Sequence, residues 1–330
     1  MASFAPVPAP SPSSGGPAVS IRGLVKRFEG VTAVDGLDLE IGVGECFGLL
    51  GPNGAGKTTT IEILEGLQEP TSGEVRVLGL AWDRDEREIR ARIGVQLQET
   101  VLDGKLSVRE TLRLFASFFP APRDEDAVIA DVGLGEKADA WVQKLSGGQR
   151  QRLAVGCALV SDPEVLFLDE PTTGLDPAAR RSLWEVIRRF QAQKRTVVLT
   201  THYMDEAERL CDRIAIVDRG RVAALGTPAE LVARVGGEEV IEIVTEPPLE
   251  PQALAAAAGA TECRVEGEAR RLVVRSLVTA LPALLDHVAS ARAKPVALST
   301  RKATLEDAFL AITGHRFEEA EGVPAEGGAR

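Results

Sequence analysis

Nowhere in this 330-residue chain is there an unbroken apolar run of the eighteen or so residues that a membrane-spanning helix needs. The longest candidates, such as Leu153 to Val160, have the length of a core helix, so the chain is not expected to cross a bilayer. A basic excess is also missing. Lys and Arg number 38 against 49 Asp and Glu, a net charge of −11, with the acid spread over both halves. Nucleic-acid readers normally carry a basic face, which argues against that class. Cysteine is scarce: Cys46, Cys157, Cys211 and Cys263 lie far apart, with no CxxC and no metal-ligand spacing. They are expected to be small buried hydrophobes in a reducing cytoplasm. The start, Met1 to Pro17, is rich in Pro, Ser, Ala and Gly and lacks the basic flank and apolar core of a secretion signal. It reads as a disordered lead-in. No internal repeat is visible.

What remains is ordinary globular composition, 44% hydrophobic and 26% charged, enough to bury a core without disulfides. Leu37, Leu39 and Ile41 alternate as in a half-buried strand, and Cys46 to Leu50 reads as a buried one. A glycine-rich run from Gly51 to Gly56 follows, then a helix from Lys57 to about Gly66. From about Asp83 to Lys144 the spacing is mostly helical, with Val108, Leu112, Phe115 and Phe119 on one stripe, which suggests a helical insertion. Beyond it the pattern predicts a helix to Val160, a strand at Val165 to Leu168, a helix carrying Leu183, Val186, Ile187 and Phe190, and a strand at Thr196 to Thr200. Such alternation implies a largely parallel sheet between helices. At Gly236 and Gly237 the character changes to a smaller α+β pattern: strands at Val240 to Thr245, Leu272 to Val274 and Val296 to Ser299, and helices at Leu277 to Ala291 and Leu305 to Ile312. Glu318 to Arg330 reads as disordered.

Three motifs carry chemistry. Gly51-Pro52-Asn53-Gly54-Ala55-Gly56-Lys57-Thr58, followed by Thr59, matches a phosphate-binding loop, in which backbone N–H groups and a helix N-terminus cradle a polyphosphate. Lys57 is expected to reach the β- and γ-phosphates, and the Thr58 hydroxyl to ligate Mg²⁺. A glycine turn before a helix is the plainer reading; by chance the pattern arises in on the order of one chain per hundred of this length. Val165-Leu-Phe-Leu-Asp169-Glu170 then sets two carboxylates at the end of an apolar strand. Asp169 suits a Mg²⁺ ligand and Glu170 a general base for the attacking water. The pair by itself could equally mark a turn. Leu145-Ser146-Gly147-Gly148-Gln149, followed by Arg150-Gln-Arg152, offers a second helix N-terminus with bare donors and a serine hydroxyl. It arises by chance in roughly a few chains per ten thousand.

With the LSGGQ run the chain resembles the ATP-binding cassette (ABC) ATPases, over roughly Val19 to Val235. The resemblance implies an α/β P-loop NTPase core with a mostly parallel sheet, an antiparallel N-terminal β subdomain and a helical insertion at about 99–160. A small C-terminal α+β domain at 236–314 and tails at 1–18 and 315–330 complete the expected division. The same resemblance makes His202 the switch histidine at the γ-phosphate and Phe28 the aromatic that stacks on adenine. Gln98, in Ile93-Gly-Val-Gln-Leu-Gln98, becomes the glutamine that senses Mg²⁺ and the membrane partner; Gln96 competes but falls two residues short of the expected strand end. Gly174-Leu175-Asp176 matches the loop that crosses between subunits, and Glu99 to Ser107 the coupling surface. His287 and His315 match no landmark and are taken as structural.

The family logic implies ATP with Mg²⁺, a homodimer in which Ser146, Gly147 and Gly148 of one subunit complete the other's γ-phosphate cage, and a separate transmembrane permease. The chain would sit on the cytoplasmic face of the membrane through that partner. Ala303-Thr-Leu-Glu-Asp-Ala-Phe-Leu310 looks like the tail of the daunorubicin-resistance type of exporter ATPases, which favours export of drug-like or lipid-like cargo. The competing reading is an ABC ATPase of DNA repair or translation, but paired cassettes, coiled coils and basic extensions are not visible. A generic phosphate-loop kinase or GTPase fails on the LSGGQ motif.

Overall fold

A computed structural model describes residues 16–97, 100–234 and 239–314. The expected tails up to residue 15 and from residue 315, together with His315, Gln98, Glu99 and the glycines at 236 and 237, lie outside the described residues. The chain divides into two compact units, Met1–Leu225 and Gly226–Arg330.

In the first unit, β1 (Val19–Phe28), β2 (Val31–Ile41) and β4 (Ser72–Val77) form an antiparallel sheet in the order β2-β1-β4. Ala18, which the sequence places in the leading tail, is fully buried, and its carbonyl accepts the Leu78 N–H at 2.7 Å. A second sheet runs β5-β6-β7-β3-β8-β9, built from β3 (Cys46–Leu50), β5 (Ile93–Gln96), β6 (Val165–Asp169), β7 (Thr196–Thr201), β8 (Arg213–Asp218) and β9 (Arg221–Gly226). Its pairs β5–β6, β6–β7, β7–β3 and β3–β8 are parallel. Only Arg219 and Gly220 link β8 to β9, a connection short enough for an antiparallel hairpin alone. All five residues of β3 and of β6 are buried, the continuous apolar run of strands covered on both faces.

Helix α1 (Lys57–Leu64) packs between the two sheets. Its Ile61 and Leu64 share one core with Leu24 and Leu37 of the antiparallel sheet and Phe47, Phe167 and Val198 of the parallel one. Each such fully buried side chain contributes about 1.5–3 kcal/mol. Helix α2 (Trp82–Arg92) leads into β5, a strand within the stretch whose spacing reads as mostly helical. The insertion consists of α3 (Val108–Ala116), α4 (Glu125–Asp131) and α5 (Gly147–Leu159), and α6 (Pro177–Ala192) and α7 (Met204–Leu210) follow β6 and β7. Ser107 and Glu110 close a reciprocal capping box at the start of α3.

The second unit holds α8 (Pro228–Ala233), α9 (Pro251–Ala258), α10 (Leu277–Ser290) and α11 (Leu305–Thr313), with β10 (Glu239–Glu246), β11 (Glu262–Glu266), β12 (Ala269–Val274) and β13 (Lys294–Lys302). Its antiparallel sheet is ordered β11-β12-β10-β13, and Ile241, Ile243, Leu254, Leu272 and Leu284 fill its core. The division falls before α8 rather than at the glycine pair because α8 packs on α11. Asp307 of α11 is buried against Arg271 and Arg301, so the charge is paired. Cys46, Cys157 and Cys211 are buried free thiols, and Cys263 is half-buried. Among the described residues no helix is long and apolar enough to cross a membrane.

Candidate functional site

Beyond Leu50 the chain turns through the glycine run into α1. Gly54 (φ 78°) and Gly56 (φ 99°) adopt left-handed backbone, which favours glycine. Neither Gly51 nor Gly56 has room for a side chain: an added Cβ would lie 2.3 Å from the Val217 carbonyl oxygen at Gly51 and 2.4 Å from that of Ala33 at Gly56. The loop is also pinned by the hairpin turn, where Gly220 N–H donates to Ala55 O at 2.9 Å. No side chain caps α1, so its first N–H groups are open to an anion. Lys57 is buried. Its ammonium donates to the carbonyls of Gly51 (2.7 Å) and Pro52 (3.0 Å) and lies 3.8 Å from Glu170 Oε1.

Strand β7 lies between β3 and β6, and this order brings Thr200 to the carboxylates. Its hydroxyl donates a short hydrogen bond to Asp169 Oδ1 and accepts the Glu170 N–H at 2.9 Å. Thr58 Oγ1 stands 3.5 Å from Asp169 Oδ1. Burial pushes the Asp169 pKa up and the Glu170 charge adds to it, while the Thr200 bond, Lys57 and Thr58 oppose. Glu170 moves the other way. The close approach of His202, whose Nδ1 lies 3.2 Å from Glu170 Oε2, is the largest cause of its lowered pKa; burial opposes, and Lys57 and Thr173 assist. Two neighbouring carboxyls pushed apart suit two different tasks. Glu170 also holds φ 46°, a left-handed conformation that costs a non-glycine residue about 1 kcal/mol or more and that clusters at functional sites.

Phe28 ends β1, 45% exposed as a residue, with the Lys26 ammonium 4.9 Å from the ring centroid. Of the two glutamines, Gln96 is the last residue of β5 rather than two short of its end; it is buried, and its amide donates to Leu97 O. Gln98 lies outside the described residues. Ser146 caps α5 by accepting Gln149 N–H at 3.2 Å, and Gln149 Oε1 accepts Ser146 N–H at 2.9 Å. These bonds join the two residues to each other and not to the phosphate loop. A Cβ on Gly148 would meet Ala179 Cβ at 2.5 Å, so packing on α6 explains that glycine. Gly147 has open space around it. Asp176 caps α6, accepting from Ala178 and Ala179 N–H at 2.9 and 3.0 Å.

Thus the fold gathers Lys57, Thr58, Asp169, Glu170 and His202 in one cluster. Thr200 and Thr173 also belong to it, and sequence reasoning gave them no role. The hydroxyl-rich end of Leu199-Thr-Thr-His202, buried yet polar, is the signal that could have singled out Thr200.

The ABC transporter family profile matches residues 34–173. The Nod factor export ATP-binding protein I of Ralstonia nicotianae is 40% identical over 94% of this chain and 98% of its own length. That of Paraburkholderia xenovorans is 41% identical over 92% and 99%. The chain belongs to the ABC transporter family. Within the ABC family it is an ATP-binding, ATP-hydrolysing subunit, and its fold accords with solved cassettes. CbiO1 of Clostridium perfringens, described as part of the ABC transporter complex cbiONQ, superposes with TM-score 0.61 at 29% identity, covering 66% of this chain and 91% of that one. The cassette MJ0796, solved as a dimer in a post-hydrolysis state bound to ADP and Pi, superposes with TM-score 0.57 at 27% identity, covering 63% and 98%.

Proposed function

We propose that this ABC ATPase powers a membrane exporter of drug-like, antibiotic or lipid-like cargo, working as a dimer that clamps ATP between its subunits and drives a separate permease. The observation that carries the catalytic part is Glu170, buried and set 3.2 Å from His202 and 3.8 Å from Lys57. Its lowered pKa keeps it ionised at neutral pH, as a base for the attacking water requires. His202 then holds that carboxylate in place, and Thr173 Oγ1, donating at 3.2 Å, fixes its rotation. Phe28 offers an exposed ring to adenine. The loop from Gly51 to Gly56 and the N-terminus of α1, through Thr59, would hold the phosphates, with Lys57 exchanging its carbonyl partners for phosphate oxygens.

Thr58 and Asp169 fit Mg²⁺. Both present hard oxygens on facing elements, and among the described residues no cluster of three acidic or imidazole side chains could hold a metal unaided. A Mg²⁺ there would neutralise phosphate charge. The roles of Ser146, Gly147, Gly148 and Gln149 toward a second copy, and of Asp176 at the subunit crossing, belong to this reading. Gly147 supports it, since nothing in its own chain demands a glycine there.

Export rests on the relatives, which are named for export of Nod factor rather than of a drug, over nearly the full length of this chain. They lend no support to a role in DNA repair or translation. The test is co-purification of the tagged chain from membranes of its native host: a polytopic membrane protein should come with it, and reconstituted vesicles should show ATP hydrolysis that rises when that protein is present. Turnover indifferent to any permease, with ribosomes or repair proteins co-purifying instead, would overturn the transport reading.

A further inference from the structure

Glu206 is a fully buried carboxyl that the site described above does not use. It stands in the first turn of α7, four residues beyond His202 in the sequence, between Met204 and the core residues Ala207 and Leu210. Its Oε1 accepts the indole N–H of Trp184 on α6 at 2.9 Å. The hydroxyls of Thr201 and Thr172 lie near the same carboxyl, whose Oε2, like Thr172 Oγ1, has no hydrogen-bond partner among the described residues. Thr201 precedes His202 directly and its Oγ1 accepts the Tyr203 N–H at 2.9 Å, a bond that spans His202. A hydroxyl that accepts one bond still has its own proton to give, and the Glu206 carboxyl is a neighbouring acceptor. Thr172 lies in the turn that follows Glu170, next to the Thr173 that bonds Glu170. Helix α6, which supplies Trp184, begins at Asp176 and touches the same segment again through Arg180, stacked 3.9 Å from the Tyr203 ring centroid and 3.6 Å from Asp205.

A leucine could fill such a site without the cost of taking a carboxyl out of water, which burial here makes plain by raising its pKa. The polar group is therefore there for its bond to Trp184. We infer that Glu206 is a positioning residue for ATP hydrolysis, joining the helix that starts at Asp176 to the segment that carries His202. A shift of α6 at its Asp176 end would reach the His202 segment through Trp184 and Glu206. This inference rests on the site assignment under Proposed function.

The test uses the full-length chain, with steady-state ATP hydrolysis and the affinity for a fluorescent ATP analogue measured on each variant. Glu206→Ala is expected to lower kcat about tenfold or more while analogue affinity stays within about twofold. Glu206→Gln, which can still accept from Trp184 and donate from its amide, is expected to restore most of that rate. Trp184→Phe, which keeps the ring and removes only the donor, is expected to lower kcat about threefold at unchanged affinity, and it serves if Glu206→Ala does not fold. Loss of rate and affinity in parallel, failure of Gln to rescue, or an unaltered rate in Trp184→Phe would overturn the inference. Glu170→Gln is run beside them. If Glu170→Gln is inactive and the Glu206 and Trp184 variants are fully active, this inference alone falls; if Glu170→Gln still turns over, the site assignment falls and takes this inference with it.

Discussion

Thr200→Val removes one hydroxyl and almost no volume, and the structure gives that hydroxyl two buried partners. It donates to Asp169 Oδ1 and accepts the Glu170 N–H at 2.9 Å, on a residue with no exposed surface. Valine leaves a buried carboxylate short of a donor, at about 1.5–3 kcal/mol for a bond to a charged group. It also orphans a buried N–H, which costs about 1–3 kcal/mol. Coupling between the two losses makes their sum an upper bound, so a net loss of about 3 kcal/mol is the expectation. In a unit of this size that lowers Tm by roughly 6–12 °C, read by differential scanning fluorimetry without nucleotide. The Thr200 bond is also the main force holding the Asp169 pKa down against burial. Its loss should therefore raise the Mg²⁺ concentration needed for half-maximal ATPase. Thr200→Ser restores the hydroxyl and should recover most of both losses. A valine variant that melts with the wild type and needs no extra Mg²⁺ would refute the argument that Thr200 organises the carboxylates.

Glu65, almost fully buried at the end of α1, has its pKa pushed up to about 9, chiefly by burial and then by the charges of Asp169 and Glu62. The folded state keeps that proton while an unfolded Glu loses it near 4.5, so stability falls as pH rises from about 4.5 to about 9. Glu65→Gln, neutral throughout, should flatten that decline, with Tm at pH 8 above wild type; equal slopes would contradict the assignment. Gly148→Ala should lower Tm through overpacking against Ala179, at about 1–3 kcal/mol. Gly147→Ala should leave Tm within about 1 °C yet cut ATPase about tenfold or more, since only a ligand or a second subunit can fill the space there. Loss of the exposed ring in Phe28→Ala should weaken ATP binding by about 1–3 kcal/mol, and Phe28→Tyr should not, as measured by analogue titration.

Much of this was legible in the residues. Glycines at 54 and 56 announce a left-handed loop, and the apolar run into Asp169 announces a buried parallel strand. Short-range signals of that kind survive folding because local backbone geometry sets them. What the sequence concealed depends on strand order. Nothing in Thr196 to Thr201 says that this strand inserts between β3 and β6, and only that insertion puts Thr200 on Asp169. Glu206 was hidden likewise, because its spacing on α7 resembles a solvated face until α6 is packed on it. In the second unit, α9 and β11 escaped because an alanine-rich stretch and a short strand of mixed polarity carry weak periodicity. The boundary before α8 follows from its packing on α11, a long-range contact.

The central claim is that Glu170 is the base of an ATP-clamped dimer. The measurement that tests it most directly is size-exclusion chromatography with light scattering on Glu170→Gln, with and without ATP, alongside its ATPase rate. The account predicts a variant that binds ATP, turns over at a small fraction of the wild-type rate and shifts from monomer to dimer when ATP is added. A variant that stays monomeric with ATP bound and hydrolyses it at an appreciable rate would contradict the account.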